Sequence, residues 1–203
     1  MALSETATGP RALTARLEEA TGLDAAVELI EPTIRAAFGT GRRAEVLRGE
    51  WLGHALHPVL TDVVIGSWTS ATVLDVLGGA DDSAAARRLI GVGLVAVGPT
   101  AWSGWSEWTT RAPEAKRVGL VHAVTNGVAI GAYAGSWVAR RRGAHRTGVG
   151  LALVGAAAMT VAGYLGGHLA HSRAPSSTAG LAVALCIAQP SALPAAPITG
   201  AWR

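Results

Sequence analysis

The chain is short of cysteine and of charged residues, and each shortage argues against a class of site or partner. Cys186 is the single cysteine among 203 residues, so an intrachain disulfide, a four-thiolate cluster and a Cys-x-x-Cys zinc site are excluded. Charged side chains make up only 15% of the chain, and the net charge of +3 gives no reason to expect a nucleic-acid partner. The first six residues lack the basic start and apolar core of a signal peptide.

Motifs of soluble enzymes are also missing. The chain contains no G-x-S-x-G elbow, P-loop, H-E-x-x-H motif or dinucleotide fingerprint, and we find no nucleophile with a base beside it. The sequence therefore predicts no catalytic residue. It favours an electron-transfer or structural membrane component over a stand-alone enzyme, and a metal-dependent membrane enzyme is a third, less favoured alternative.

Apolar residues are abundant, at 50% of the chain, and they are concentrated in four long segments. The segments cover residues 59–79, 89–109, 118–139 and 149–170, and each reaches the roughly 20 residues that cross a bilayer as a helix. A soluble four-helix protein would need a charged face on every helix, yet the third and fourth segments carry no charge. Short polar loops between the segments favour an up-down-up-down order. We therefore predict an all-α integral membrane four-helix bundle over residues 51–171.

The two ends of the chain differ from this bundle. Residues 1–50 are polar with an amphipathic helical pattern, which predicts either a small helical cap or a helix lying on the membrane surface. Residues 172–203 are rich in Ala, Pro and Ser and predict a weakly ordered tail. Basic residues are nearly balanced between the two sides of the membrane, so orientation depends on the hydrophilic, leaderless start. We predict a multi-pass protein of the bacterial inner membrane with both termini in the cytoplasm.

Glycine forms stripes on two of the predicted spans. Small residues recur at every fourth position of the third span, and glycines recur on the fourth, a spacing that lets helices approach closely in lipid. The stripe positions are Gly119, Ala123, Gly127, Gly131 and Gly135, followed by Gly155, Gly163 and Gly167. These faces could contact a neighbour in the same chain or a partner, so the sequence leaves open a homo-oligomer or another membrane subunit.

Histidines cluster at one end of the predicted bundle. The up-down order places five of the six histidines and Asp62 at one membrane face, and polar groups in a span turn toward the bundle interior. A first hypothesis is a b-type haem on His122 and His168, with Asn126 holding a ring tautomer and His57 nearby. A second is a transition-metal ion on His54, His57, Asp62 and His171. In a third, the histidines only cap helices at the headgroups.

The segment before the first span resembles a known family. Residues 51–58 read Trp-Leu-Gly-His-Ala-Leu-His-Pro and continue through Thr61-Asp62 to Gly66-Ser-Trp68. This resembles a bacterial family of four-span membrane proteins of unknown function with a Gly-His-Pro-Leu-His-Pro motif, over about residues 45–171. Ala55 replaces the first proline of that motif, and Val64 stands where a further proline is frequent.

Many relatives in that family carry a C-terminal Rieske domain, so the resemblance implies a redox setting and a redox partner protein. The ligands of the Rieske cluster are absent, because one cysteine and no histidine follow His171. We therefore expect no iron–sulfur cluster in this chain. The sequence predicts a redox-associated electron-transfer protein, with a non-catalytic subunit that binds partners through its glycine faces as the alternative.

Overall fold

The computed structural model describes residues 9–78 and 82–171, and every regular element in these ranges is helical. The predicted tail at 172–203 lies outside the described residues. The α-helices are α1 (Pro10–Glu19), α2 (Asp24–Phe38), α3 (Gly41–Arg48), α4 (Leu56–Leu77), α5 (Ser83–Trp108), α6 (Pro113–Arg141) and α7 (His145–His171). The all-helical prediction is thus confirmed for the described part of the chain.

Three of the long helices are long and apolar enough to cross a membrane. These are α4, α6 and α7, which correspond to the first, third and fourth predicted spans. Helix α5 has 26 residues and covers the second predicted span, but it is not among the candidates within the described chain. Its uncharged run at 89–106 ends in a half rich in Gly, Ser, Thr, Pro and Trp, which leaves a less hydrophobic helix. The four-span prediction is therefore supported for three helices.

The four long helices form two hairpins that repeat one pattern. His57, Trp68 and Asp75 of α4 each have a counterpart 65 residues later in α6, at 122, 133 and 140. The partner helices repeat as well. A Cβ built at Gly93 of α5 would overlap the Trp68 ring, and one built at Gly155 of α7 would lie 2.7 Å from the Tyr133 ring. Because α4–α5 and α6–α7 run in the same order and pack alike, they form a parallel internal repeat of the kind found in membrane transporters.

The repeat places equivalent side chains of α4 and α6 against each other along the bundle axis. The rings of Trp68 and Tyr133 stack with their centroids 4.0 Å apart. Trp68 Nε1 also donates to the carbonyl of Ile90 at 3.2 Å, so its indole N–H is satisfied. The apolar core surrounds this stack and includes Val64 and Ala129. The stacked pair thus forms an aromatic layer with polar groups on either side of it along α6.

Helices α1–α3 pack against α5 and α6 at the end of the bundle where α4 begins. Gly49 lies at the end of α3 with φ +76° and is followed by a 3-10 turn, Glu50–Leu52, that leads toward α4. A Cβ at Gly49 would overlap the carbonyl oxygen of His54, so only glycine fits this close turn. We call α1–α3 the cap.

Candidate functional site

His57 lies near the start of α4 and its ring is seated against α5. Its Nδ1 is 2.9 Å from the carbonyl oxygen of Thr100 and 3.1 Å from Ser103 Oγ. Because a carbonyl can only accept, Nδ1 must carry the proton, and neutral imidazole then has its lone pair on Nε2. A Cβ at Gly104 would lie 2.8 Å from His57 Cε1, so the glycine makes room for the ring. His57 is therefore fixed in one tautomer with Nε2 available.

His122 occupies the equivalent position on α6 and is seated against α7 in the same way. Its Nδ1 is 2.9 Å from the carbonyl oxygen of Ala162, and a Cβ at Gly166 would lie 3.0 Å from its Cε1. The Nδ1 proton again leaves the lone pair on Nε2, which is 3.0 Å from Asn126 Nδ2. The carbonyl of Ala162 therefore fixes the ring tautomer, while Asn126 bonds the nitrogen that a metal would need.

The two seated histidines occupy equivalent positions on α4 and α6. These helices also meet through the stack of the Trp68 and Tyr133 rings. A metal-binding histidine usually donates its other ring N–H to a carbonyl, a carboxylate or water, which fixes the tautomer. Both histidines already make such a bond to a backbone carbonyl. His57 and His122 therefore share one tautomer, with the lone pair on Nε2, and Nε2 of His122 accepts a hydrogen bond from Asn126 Nδ2.

The other predicted site residues lie apart from this pair. His168 Nε2 is 2.8 Å from Glu18 Oε1 of the cap, while His171 and His54 are exposed, with Nδ1 at the carbonyls of Gly167 and Ala55 respectively. Asp62 is exposed on the outer face of α4. In the described ranges, no group of three or more His, Cys, Asp or Glu side chains could hold a metal ion. The four predicted metal ligands, His54, His57, Asp62 and His171, are therefore not gathered into one site.

A second polar cluster lies beyond the aromatic layer, and sequence reasoning missed it. Arg140 Nη2 of α6 donates to Asp75 Oδ2 of α4 at 2.5 Å, and the two side chains are only 1% and 2% exposed. Arg140 Nε also donates to Ser136 Oγ at 3.2 Å, and Ser136 Oγ donates to the carbonyl of Gly148 at 2.6 Å. Within the described residues, Arg140 Nη1 and the hydroxyl of Tyr133 are buried, and neither has a partner at hydrogen-bonding distance and angle.

One sequence signal could have found this second cluster. Along α6, polar residues continue at helical spacing past Asn126, on the same face as His122, and a polar face through a span marks a bundle interior. The polar positions of this face are His122, Asn126, Tyr133, Ser136 and Arg140. Helix α4 carries the same kind of signal, because Thr61, Thr72 and Asp75 lie at helical spacing on the face of His57.

Ion pairs hold the cap on the end of the bundle where His57 and His122 lie, which we call the histidine end. Arg117 Nε donates to Asp24 Oδ1 at 2.6 Å and Nη2 donates to Oδ2 at 3.0 Å, a two-pronged pair. Lys116 Nζ lies 2.6 Å from Glu31 Oε1, and Arg35 pairs with the same carboxylate. Hydrogen bonding to Arg117 lowers the pKa of Asp24, and hydrogen bonding to Lys116 and then Arg35 lowers the pKa of Glu31. The cap is therefore attached through carboxylates that prefer to stay ionised.

We expect acid to release the cap from the bundle. A carboxylate whose pKa is lower in the folded state than in the unfolded state stabilises the folded state at any pH above its unfolded-state pKa. This stabilisation is lost as the pH falls through its folded-state pKa. The pKa values of Asp24 and Glu31 in the unfolded state are near 3.8 and 4.5. The cap should therefore stay attached to the bundle at neutral pH and attach more weakly below about pH 4. The protection of the backbone amides of residues 10–48 against hydrogen exchange, relative to the intrinsic rate at each pH, measures this release when pH 7 and pH 3 are compared.

The control for this experiment is the double variant Asp24→Asn with Glu31→Gln. These amides keep the shape of the carboxyl groups but cannot titrate, so the cap should already exchange faster at pH 7 and its exchange should respond less to acid. If the natural cap stays equally protected at pH 3, these ion pairs do not control its attachment.

A sequence profile of one protein family matches residues 53–176, which is more than half of the chain. The chain belongs to the family described as Predicted membrane protein (DUF2231). The match begins at Gly53, just before His54, and covers all four long helices, while the cap lies outside it. No curated protein and no solved structure matches the chain. Family membership agrees with the three apolar helices and supports a membrane protein.

Proposed function

We propose that this family member is an electron-transfer component of the bacterial inner membrane that holds a b-type haem between His57 and His122. In this proposal all four long helices cross the bilayer, since α5 pairs along its length with α4 and its apolar run is long enough. The polar composition of residues 1–50 supports termini in the cytoplasm. The observation that carries the proposal is the pair of equivalent histidines, each fixed by a carbonyl so that Nε2 holds the lone pair.

The number of ligands favours haem over a bare metal ion. A structural or catalytic zinc site takes three or four protein ligands, whereas haem iron needs only one or two axial ligands because the porphyrin supplies the rest. Two histidines on facing helices are enough for haem iron but too few for a zinc site. His57 and His122 would hold the iron, which when bound accepts and releases one electron. Asn126 would have to give up its bond to His122 Nε2.

The same geometry changes the expected ligand pair. The sequence hypothesis joined His122 to His168, but Nε2 of His168 is engaged by Glu18 of the cap. His168 serves better as an attachment point for the cap, and His57 takes its place as the second ligand. A redox partner protein, implied by the family resemblance, would then exchange electrons at the histidine end of the bundle.

Absorption spectroscopy tests this proposal directly. After haem-supplemented expression, the purified full chain should show a Soret band with iron in roughly equal amount to protein. His57→Ala and His122→Ala should each lose most of the bound haem, because each would remove one of the two nitrogens that hold the iron. His171→Ala is the matched control, since His171 is exposed and bonds only its own helix. Absence of a Soret band together with absence of iron and copper by elemental analysis would rule the cofactor out.

A non-catalytic membrane subunit is the second candidate function. Gly127 and Gly131 of α6 are exposed, and a Cβ at either position would have nothing within 4 Å. Exposed valines at 124 and 128 flank them. This part of the predicted glycine stripe therefore faces away from the chain's own described helices, as expected of a surface that receives a helix of another membrane protein.

A further inference from the structure

The outer face of α4 carries a charge where lipid is expected. Asp62 is exposed, and no described residue forms a hydrogen bond or ion pair with it. Helix α4 has 22 residues and is about 33 Å long, which barely exceeds the hydrocarbon core, and Asp62 lies about 7 Å from its midpoint. An aspartate facing lipid at the bilayer centre costs roughly 2.5–3.5 kcal/mol on insertion scales. This cost makes a polar protein partner a better neighbour for Asp62 than lipid.

A hydrogen-bond donor lies within one helical turn of the same depth on the neighbouring helix α7. The Trp68–Tyr133 stack and the packing of Tyr133 on Gly155 place these three residues at one level. Asp62 is six residues from Trp68 toward the histidine end. Six residues from Gly155 in the same direction is position 161, because α7 runs antiparallel to α4. Tyr164 is one turn from that level, 39% exposed, and forms no hydrogen bond with any described residue.

The two exposed faces also allow close approach. Gly66 lies one turn after Asp62 on α4, and Gly163 and Gly167 flank Tyr164 on α7. A Cβ at any of the three would have nothing within 4 Å. Helices α4 and α7 contact each other, and the carboxylate, the hydroxyl and the open glycines all lie on the exposed faces of these two neighbouring helices. Small residues beside a polar group are typical of helix contacts in lipid.

We propose that this side of the bundle binds a second copy of the chain, with Asp62 of each copy accepting a hydrogen bond from Tyr164 of the other. A two-fold axis along the membrane normal keeps both copies at the same depth, so each acceptor lies within about one helical turn of a donor. The contact supplies two equivalent bonds. A second copy is the occupant because the chain itself carries both halves of the complementary pair on adjacent helices.

The dissociation constant of the dimer in detergent micelles, measured by energy transfer between labelled full-length chains, tests the proposal. Interhelical hydrogen bonds in membranes average about 0.6 kcal/mol, which is roughly three-fold per bond, so loss of both bonds should weaken the dimer about ten-fold. Asp62→Ala and Tyr164→Phe should each have this effect. The double variant should be no weaker than either single variant, because all three lack the same bonds.

The matched control is the α6 variant Gly127→Leu with Gly131→Leu, which should dimerise like the natural chain. A monomeric natural chain would overturn the proposal, and so would additive effects of the two single substitutions. Loss of assembly only in the α6 variant would also overturn it, because the partner surface would then be the glycine face of the second candidate function. Tyr164→Phe changes one exposed hydroxyl and should leave the fold intact, so its result does not depend on a damaged bundle.

Discussion

Asp75→Ala should destabilise the bundle by about 3–5 kcal/mol, the range observed when one partner of a buried ion pair is removed. The substitution leaves the Arg140 guanidinium inside the bundle with its Nη2 unpaired, in addition to Nη1, which already lacks a partner. A charge without a partner is costly in so buried a position because water cannot replace the lost carboxylate. Unfolding by sodium dodecyl sulfate in mixed micelles, followed by circular dichroism, measures the change.

Two further variants separate this effect from a general loss of charge. Asp75→Leu combined with Arg140→Met removes both charges and should recover much of the stability, because apolar residues often replace a buried pair at little cost. Arg48→Ala breaks the solvent-exposed pair with Glu50 and should cost no more than about 1 kcal/mol. A cost below about 1 kcal/mol for Asp75→Ala would show that the pair is hydrated or contributes little.

Gly93→Ala should cost about 1–3 kcal/mol, the range for adding a methyl group to a packed core. The added Cβ would overlap the Trp68 ring, whose hydrogen bond to Ile90 and stack on Tyr133 prevent an easy shift. The gain in helix propensity from glycine to alanine, close to 1 kcal/mol, offsets only part of this cost. The same unfolding assay measures the change, and a red shift of tryptophan emission would report the displaced ring.

Gly155→Ala and Gly163→Ala compare a packed glycine with an open one on the same helix, α7. Gly155 faces Tyr133 as Gly93 faces Trp68, so its substitution should also destabilise the protein. A Cβ at Gly163 would have open space, and alanine there should be neutral or slightly stabilising. Equal effects at positions 155 and 163 would contradict the packing of the two repeats around the aromatic layer.

The histidine end shows how much of the candidate site could be predicted from the local sequence pattern. Counting segments predicted that His57 and His122 would share one end of the bundle, and hydrogen bonds of both residues to neighbouring helices agree with that arrangement. Spacing could not predict which nitrogen carries the proton. That choice depends on the carbonyls of Thr100 and Ala162, which are 43 and 40 residues away along the chain. It also could not predict that Glu18 of the cap would engage His168.

The sequence by itself determined the elements that depend on local hydrophobicity. Segments 59–79, 118–139 and 149–170 each lie mainly within a helix long and apolar enough to cross a membrane, because a long apolar run must satisfy its backbone hydrogen bonds internally in lipid. The second segment is also helical, but its Gly, Ser, Thr, Pro and Trp residues lower its hydropathy, and it is not among the candidate spans of the described chain. The family resemblance and the match over residues 53–176 agree that this region is a membrane protein.

Only the tertiary structure decided which polar groups meet. Asp75 and Arg140 are 65 residues apart, and their pairing depends on two hairpins packing with the same register around Trp68 and Tyr133. The same register places Asp62 outward and His57 against α5. Local sequence contains the helices but not the rotation of each helix about its axis. That rotation is set by the packing of side chains such as Trp68 against glycines on the neighbouring helix, which fixes the faces that meet.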